Sequence, residues 1–241
     1  MSSSHMKRLT MPRTWPLPRK TEVWVQKPDP SGHPLEMCMP IGIILRDVLS
    51  LSRSQRESKR ILSTRSVMVD GRVVVKHSRA VGLMDVLTVG DEHYRCVLDT
   101  NGKLRYRSIT KKAATTKLCR IIKKTTIKGG LTQYTLHDGR TVKMEEANVY
   151  STGDTLVISI PDQQVKEHLS FEVGSTAYLT GGSHVGETSE IKNIDIKRSS
   201  KPNEVLLDGF GTIAAYAFVI PDKKSLPLEV SSCCLLYTSD A

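Results

Sequence analysis

No stretch of this sequence is apolar for long enough to cross a lipid bilayer. The longest candidate, Ile41 to Leu51, is interrupted by Arg46 and Asp47 and falls short of the roughly 20 apolar residues that a membrane helix needs. The N-terminus also lacks the apolar core of a secretory signal. We therefore expect a soluble, intracellular protein without a membrane partner.

The cysteine spacing of a zinc site is missing too. The five cysteines include no C-x-x-C pair, and Cys38, Cys96 and Cys119 are widely separated and flanked by apolar residues. We expect these three to be buried core thiols. The histidines likewise lack the spacing of metal ligands. The sequence therefore predicts no metal site and no cofactor.

No catalytic constellation is recognisable. The pair His137-Asp138 resembles a polarised base, but the glycine that follows it between two predicted strands is typical of a tight turn. The run Thr180-Gly181-Gly182 lacks the Gly-Lys-Ser/Thr ending of a phosphate-binding loop. We predict that the protein is not an enzyme and has no small-molecule substrate.

Carboxylates are absent from residues 101–128, which carry ten lysines and arginines. The formal net charge of the chain is +10, and all of the positive excess lies before Gly129. A solvated surface normally mixes its charges, so this distribution indicates a polyanionic partner. Nucleic acid is favoured over a membrane surface, because no helix with a broad apolar face accompanies the charge.

Residues 1–36 form a basic, proline-rich N-terminal arm. Its six prolines, at positions 12, 16, 18, 28, 30 and 34, disfavour helix and sheet interiors. Trp15 and Trp24 are its two apolar anchors. Such a segment can become ordered along an RNA surface, although a plain surface arm is an equally good interpretation.

Residues 37–92, the helical module, are predicted to contain two helices, a hairpin and a strand. Ile41 to Leu49 has helical spacing, and a second helix is predicted from about Gln55 to Ser63 after the Ser54…Glu57 capping box. Asp-Gly between two valine-rich runs predicts a hairpin over residues 67–75. Another strand region is predicted at Val81 to Val89.

The rest of the chain is predicted to be mostly β-structure. The central module, residues 93–170, alternates polar and apolar residues around Asn101-Gly102 and later Asp-Gly turns. The C-terminal module, residues 171–230, reads as a second small β unit and is net acidic. Residues 231–241 resemble a translated sequencing-adapter fragment, so we interpret them as a non-native tail.

The order of helix, helix, hairpin and strand resembles the alpha-L RNA-binding module that some ribosomal proteins, pseudouridine synthases and tyrosyl-tRNA synthetases share. The glycine-rich run from Gly174 to Gly186 resembles the KOW motif, with Ser189 where that motif often has glycine. A longer series of motifs resembles ribosomal protein S4e of the archaeal and eukaryotic small subunit. These motifs are Lys7-Arg8-Leu9, Trp15-Pro16, Leu45-Arg46-Asp47, Val69-Asp70-Gly71-Arg72-Val73, Gly82-Leu83-Met84-Asp85-Val86, Lys117-Leu118-Cys119, Leu136-His137-Asp138-Gly139-Arg140 and Thr152-Gly153-Asp154-Thr155.

The resemblance to S4e implies a structural constituent of the small ribosomal subunit that binds and stabilises rRNA during assembly and translation. It implies neighbouring ribosomal proteins as further partners and a cytoplasmic location in the ribosome. The fold class that follows is α+β and multidomain, with a small RNA-binding module of a helical pair and hairpin followed by two mostly antiparallel β modules. The last of these is expected to be a small KOW-type barrel that serves mainly in packing or protein contact.

Two alternatives stay open at this point. The alpha-L module would also suit a free RNA-binding or RNA-modifying factor, and the KOW resemblance would suit a transcription-elongation protein. In each case RNA would be contacted by clustered cations. The predicted contacts in the helical module are Arg53, Arg56, Lys59, Arg60, Arg65, Arg72 and Lys76; those in the N-terminal arm are Lys7, Arg8, Arg13, Arg19 and Lys20; and those in the central module are Lys111, Lys112, Lys123 and Lys124.

Overall fold

The computed structural model of the chain describes residues 5–145 and 149–221. Strands dominate, and the two helices are short. The predicted non-native tail and residues 222–230 of the C-terminal module lie outside the described residues. No helix in the two described ranges combines the length and the apolar character that a bilayer span requires.

The helices and strands are numbered in the order in which they occur along the chain. The helices are α1 (Ile41–Ile43), which continues as a π-helical turn (Ile44–Val48), and α2 (Gln55–Ser63). The strands are β1 (His5–Lys7), β2 (Trp24–Gln26), β3 (Cys38–Pro40), β4 (Val67–Val69), β5 (Arg72–Val73), β6 (Ala80–Gly82), β7 (Val86–Val89), β8 (Glu92–Leu98), β9 (Leu104–Ser108), β10 (Thr116–Thr126), β11 (Thr132–Leu136), β12 (Thr141–Met144), β13 (Thr155–Ser159), β14 (Val165–Leu169), β15 (Thr176–Leu179), β16 (Thr188–Asp195), β17 (Glu204–Leu207), β18 (Gly211–Ile213) and β19 (Ala217–Val219).

The N-terminal arm is folded against the helical module. Strand β1 pairs with β2 in an antiparallel ladder. Trp15 is fully buried, and its indole Nε1–H donates a hydrogen bond of 2.8 Å to the carbonyl of Cys38. Met11 and Val25 join the same apolar core. The arm is therefore anchored by apolar burial at Trp15, which confirms one of its two predicted anchors. The other predicted anchor, Trp24, is half exposed, so the prediction is wrong for that residue.

The second predicted helix is confirmed, and the first is shorter than predicted. Helix α2 begins after Ser54, whose Oγ accepts the Glu57 amide at 3.3 Å, while the Glu57 carboxylate accepts the Arg53 amide at 2.8 Å. Regular α-helix at Ile41 lasts only three residues before the π-helical turn, in which the Leu49 amide reaches the carbonyl of Ile44.

The predicted Asp-Gly hairpin is confirmed, whereas the predicted strand Val81 to Val89 is divided. Asp70 and Gly71 both have positive φ, as a type I′ turn between β4 and β5 requires. Strand β6 pairs with β3, but β7 pairs with β4 and β8. The division occurs because the Asp85 carboxylate accepts the Gly82 amide at 2.8 Å and closes a turn.

Three five-stranded antiparallel sheets form the body of the molecule, in the orders β5-β4-β7-β8-β9, β12-β11-β10-β13-β14 and β18-β17-β16-β15-β19. The α+β fold class predicted from the sequence is confirmed. Strands β8 and β9 lie in the predicted central module but complete the sheet of the helical module. The division of the chain into domains stays a prediction.

One apolar core joins the arm, the helical module and parts of the central and C-terminal modules. The sheets β12-β11-β10-β13-β14 and β18-β17-β16-β15-β19 each have a further, smaller core. Tyr178 on β15 shows this connection, because its buried hydroxyl accepts the Leu98 amide at 2.7 Å and donates to the Leu98 carbonyl at 2.8 Å. Cys38, Cys96 and Cys119 are buried free thiols, as predicted.

Candidate nucleic-acid interface

Helix α2 presents most of its predicted RNA contacts on one exposed side. Leu62 and Ser58 are fully buried, and the Ser58 hydroxyl lies 2.6 Å from that of Ser52, which fixes the inward side of the helix. Residues three and four positions apart share a helix side. The exposed residues of this cationic face are Arg56, Lys59 and Arg60 on the helix and Arg53 just before it.

Residues 76–79, called the Lys76 segment below, follow the hairpin and extend the cationic face of α2. Lys76 is exposed and lies 3.7 Å from the Asp29 carboxylate. Burial lowers the pKa of the neighbouring His77, and the charge of Lys59 lowers it further, so α2 passes close to this segment. Arg65 follows the helix in a left-handed conformation, and Arg72 on β5 is exposed. The structure therefore brings Lys59 and the Lys76 segment together.

The arm cations divide into exposed and internal groups. Lys7, Arg13 and Lys20 are exposed. Arg8 is buried, and its guanidinium donates to the Pro18 carbonyl at 2.6 Å and pairs with Glu22 at 3.1 Å. This contact uses the charge of Arg8 inside the arm, which disfavours the predicted contact of Arg8 with RNA.

A second cationic cluster, the Lys103 cluster, joins the arm to β9 and consists of Arg19, Lys103 and Arg105. The sequence predicted Arg19 as an RNA contact but not Lys103 or Arg105. Arg19 binds the Leu9 and Met11 carbonyls at 2.9 and 2.8 Å. Burial lowers the pKa of Lys103, and the nearby charges of Arg19 and Arg105 lower it further. The Lys103 amine donates to the carbonyl of Arg13. The available signal was the position of Lys103 and Arg105 beside the Asn-Gly turn, within the carboxylate-free stretch.

The four predicted contacts in the central module have different environments. Lys111 and Lys112 are exposed before the 3₁₀ turn Ala113–Thr115, and Lys123 is exposed on β10. Lys124 is half-buried, with its amine 3.3 Å from the Tyr150 carbonyl and 5.6 Å from the centre of the Tyr134 ring. Lys124 therefore has contacts within the protein, while the other three face solvent.

Two cations of the carboxylate-free stretch serve the fold. Arg120 donates to the Ala214 carbonyl at 3.0 Å and so links β10 to the C-terminal module. Lys117, which is almost fully buried, lies 2.8 Å from Asp70, 2.5 Å from Asp85 and 2.9 Å from Asp138. Counting charges along the sequence missed this arrangement, because the neutralising carboxylates come from distant segments.

The three carboxylates, Lys117 and Arg140 form a buried ion network between the helical and central modules. Arg140 reaches Asp70 at 2.5 Å and Asp138 at 3.2 Å. Burial would raise the pKa of Asp85, but Lys117 and His33 lower it more, and the net pKa is below its usual value. Burial and Asp85 together hold the pKa of Asp70 above its usual value. The network is therefore a tightly coupled structural junction.

The predicted turn at His137-Asp138 is confirmed, with Gly139 at positive φ between β11 and β12. His137 Nε2 lies 3.2 Å from the Leu83 carbonyl, and Nδ1 accepts the Arg120 amide at 3.2 Å. Burial and Lys117 lower the pKa of His137 to about 4. Both ring nitrogens thus have partners in the fold.

Among residues 5–145 and 149–221 no group of three His, Cys, Asp or Glu is arranged to hold a metal ion.

Comparison with known proteins identifies relatives along nearly the whole chain. The model of the ribosomal family S4e matches residues 90–165, and that of the RS4NT (NUC023) domain matches residues 2–36. The Small ribosomal subunit protein eS4 of Methanocaldococcus jannaschii is 41% identical over 236 residues, covering 92% of this chain and 96% of its own. The protein of the same name from Methanocella arvoryzae is 38% identical, covering 91% and 95%.

A solved structure supports the same assignment. The crystal structure of the 30S ribosomal protein S4e from Thermoplasma acidophilum matches with a TM-score of 0.70 and 36% sequence identity, covering 78% of this chain and 97% of that chain. The sequence relatives match over almost the full length of both this chain and their own chains. The solved structure of the same family has a similar fold. The chain belongs to the ribosomal protein S4e family.

Proposed function

We propose that this chain is a structural constituent of the small ribosomal subunit that binds and stabilises rRNA during assembly and translation. The observation that carries the proposal is the exposed cationic face of α2, found in a chain of the S4e family. The partners are small-subunit rRNA and neighbouring ribosomal proteins, and the protein works in the cytoplasm as part of the ribosome.

The binding mechanism rests on phosphate contacts. The lysines and arginines of α2, the Lys76 segment and the Lys103 cluster displace condensed counterions from RNA, which provides affinity without reading sequence. Selectivity comes from the shape of the helical module, because proteins recognise double-stranded RNA mainly by its shape and backbone and not by its base edges. The anchored arm holds the Arg13 backbone and the Arg19 charge next to Lys103, so the fold itself positions this cluster.

We also propose that the protein has no catalytic activity. The pair that most resembles an acid–base couple is held in the fold, because the His137 ring is bound on both nitrogens and the Asp138 carboxylate binds Lys117. A free RNA-modifying factor would need catalytic groups outside this pair. Turnover of an isolated RNA by the purified chain would contradict the proposal.

The first experiment is a salt titration of binding between the full chain and small-subunit rRNA of an archaeal relative. Six to ten phosphate contacts predict that affinity falls by roughly 10³- to 10⁵-fold between 50 and 200 mM salt. Arg56→Gln, Lys59→Gln and Arg60→Gln should each reduce the slope of log affinity against log salt by about 1. Lys166→Gln, an exposed lysine on β14, is the matched control. Binding that does not respond to salt would contradict the mechanism.

Fractionation of a native lysate on a sucrose gradient tests residence in the ribosome. The chain should sediment with the small subunit and dissociate only at high salt. Sedimentation with RNA polymerase, or only as free protein, would favour one of the two alternatives that the sequence left open.

A further inference from the structure

A cleft between the arm and the helical module has features that phosphate binding does not use. Its volume is about 440 Å³, within the range of roughly 300–1,000 Å³ that small-ligand sites occupy. Among the residues that line it are Trp24, Gln26, Asp29, Arg46, His77 and Ser78. Strand β2 of the arm and His77 and Ser78 of the Lys76 segment both contribute to its lining, so the cleft exists only because the arm is folded.

The aromatic side chain in the cleft is unusually accessible. Trp24 is 52% exposed, although the other tryptophan of the arm, Trp15, is fully buried. The Trp24 ring meets His5 edge to face, with 4.8 Å between ring centres, which restricts its orientation. An oriented, half-exposed indole is a platform on which a planar group can stack.

Two hydrogen-bonding side chains of the cleft lining, Gln26 and His77, offer contacts to a ligand. The Gln26 Nε2 is buried and, within the described part of the chain, has no hydrogen-bond partner. A buried donor without a partner is destabilising, so an acceptor brought by a ligand would be favourable. His77 has a lowered pKa and is neutral at pH 7, so its ring offers one donor and one acceptor.

The charges indicate what kind of ligand fits. Asp29 lies 3.7 Å from the Lys76 amine, Glu22 pairs with Arg8 at 3.1 Å, and Arg46 pairs with Asp47 at 2.8 Å. Each charged side chain of the lining therefore has an oppositely charged partner. Lys59 and Lys76 lie at the His77 side. An uncharged planar group inside and phosphates at the rim would match this distribution.

We propose that this cleft takes one unstacked nucleobase of the bound RNA, which stacks on Trp24 and hydrogen-bonds to Gln26. The flanking phosphates contact Lys59 and Lys76. The inference rests on the proposed rRNA binding and deepens it, because it adds a base contact to an interface otherwise described by backbone charge. Unpaired bases in loops and bulges are the parts of RNA that such a site can recognise.

The test compares full-length variants in the salt titration against small-subunit rRNA. Trp24→Ala should weaken binding by roughly 5- to 150-fold at every salt concentration, since stacking on an aromatic side chain is lost. The slope against salt should not change, because no phosphate contact is removed. Trp24→Phe should retain most of the affinity. Val23→Ala, which truncates an exposed apolar neighbour outside the cleft, should bind as the unmodified chain does.

A second variant guards against misfolding. Gln26→Leu removes an amide whose Nε2 is unpaired, so thermal unfolding should change little while rRNA affinity falls several-fold. Ultraviolet cross-linking of the unmodified complex, followed by mass spectrometry, should place a nucleotide on the peptide that contains Trp24.

The outcomes separate this inference from the proposed function. If Trp24→Ala and Gln26→Leu bind rRNA as tightly as the unmodified chain, the nucleobase proposal is overturned and salt-dependent rRNA binding still stands. Normal rRNA affinity combined with loss from small subunits would also overturn it, because the cleft would then receive a protein side chain. Failure of the unmodified chain to bind rRNA would reject the proposed function itself.

Discussion

Replacing Lys117 by methionine tests whether the buried ion network holds the helical and central modules together. Methionine keeps the length and apolar stem of lysine but removes the amine that lies within 3 Å of Asp70, Asp85 and Asp138. Removing one partner of a buried ion pair costs about 3–5 kcal/mol, because the remaining charge is left uncompensated. Three carboxylates share this one amine, so we expect a loss at the upper end of that range.

The assay is equilibrium unfolding in urea, with thermal unfolding as a second measure. For a chain of this size, a loss of about 3–5 kcal/mol corresponds to a midpoint lowered by roughly 6–20 °C. Lys111→Met is the matched control, because Lys111 is exposed, and its replacement should change the unfolding free energy by no more than about 0.5 kcal/mol. The double variant Lys117→Met with Asp138→Asn should lose less than the sum of the two single losses.

The pH dependence gives an independent check of the same reasoning. With Lys117 present, the pKa values of Asp85 and Asp138 lie below their usual range, so both stay ionised as the pH falls. Without the amine, burial raises their pKa values and they take up protons. The cost of Lys117→Met should therefore be smaller at pH 5 than at pH 7. A variant within about 1 kcal/mol of the unmodified protein at pH 7 would refute a stabilising role for the network.

Three further expectations concern the same junction and the arm. His137 has a pKa of about 4 in the fold, below its unfolded value. The stability that neutral His137 provides is therefore lost as the pH falls from about 6.5 to about 4. In urea unfolding, the free energy of His137→Gln should change with pH less steeply over this range, by up to about 1.4 kcal/mol per pH unit. Trp15→Ala should lower the free energy of unfolding in urea by about 3–5 kcal/mol, because Trp15 is fully buried. Trp24 is half exposed, so an equal loss for Trp15→Ala and Trp24→Ala would mean that Trp15 does not anchor the arm. A Cβ on Gly32 would lie 1.9 Å from the Asp138 carbonyl oxygen. Gly32→Ala should therefore lower the free energy of unfolding by about 1–3 kcal/mol and lower the thermal midpoint. An unchanged midpoint would contradict this close approach.

Local signals in the sequence predicted local structure well. The capping box at Ser54 and Glu57 predicted the bounds of α2, and the Asp-Gly pairs predicted the hairpin turns, because both signals act within a few residues. The strand predicted over Val81 to Val89 was wrong in its continuity. The Asp85 side chain turns the backbone there, and periodicity alone does not reveal such a turn.

The sequence by itself determined the fold class, the excess of positive charge and, through the order of its motifs, the family. Charge along a chain does not say where each cation lies in space, so the tertiary structure alone decided which cations face solvent. It buried Arg8 within the arm against the Pro18 carbonyl and Glu22, and it surrounded Lys117 with carboxylates from distant segments. It also brought Lys103 beside the arm. It also formed the cleft beside Trp24, since two segments far apart in sequence meet there only after the arm has folded.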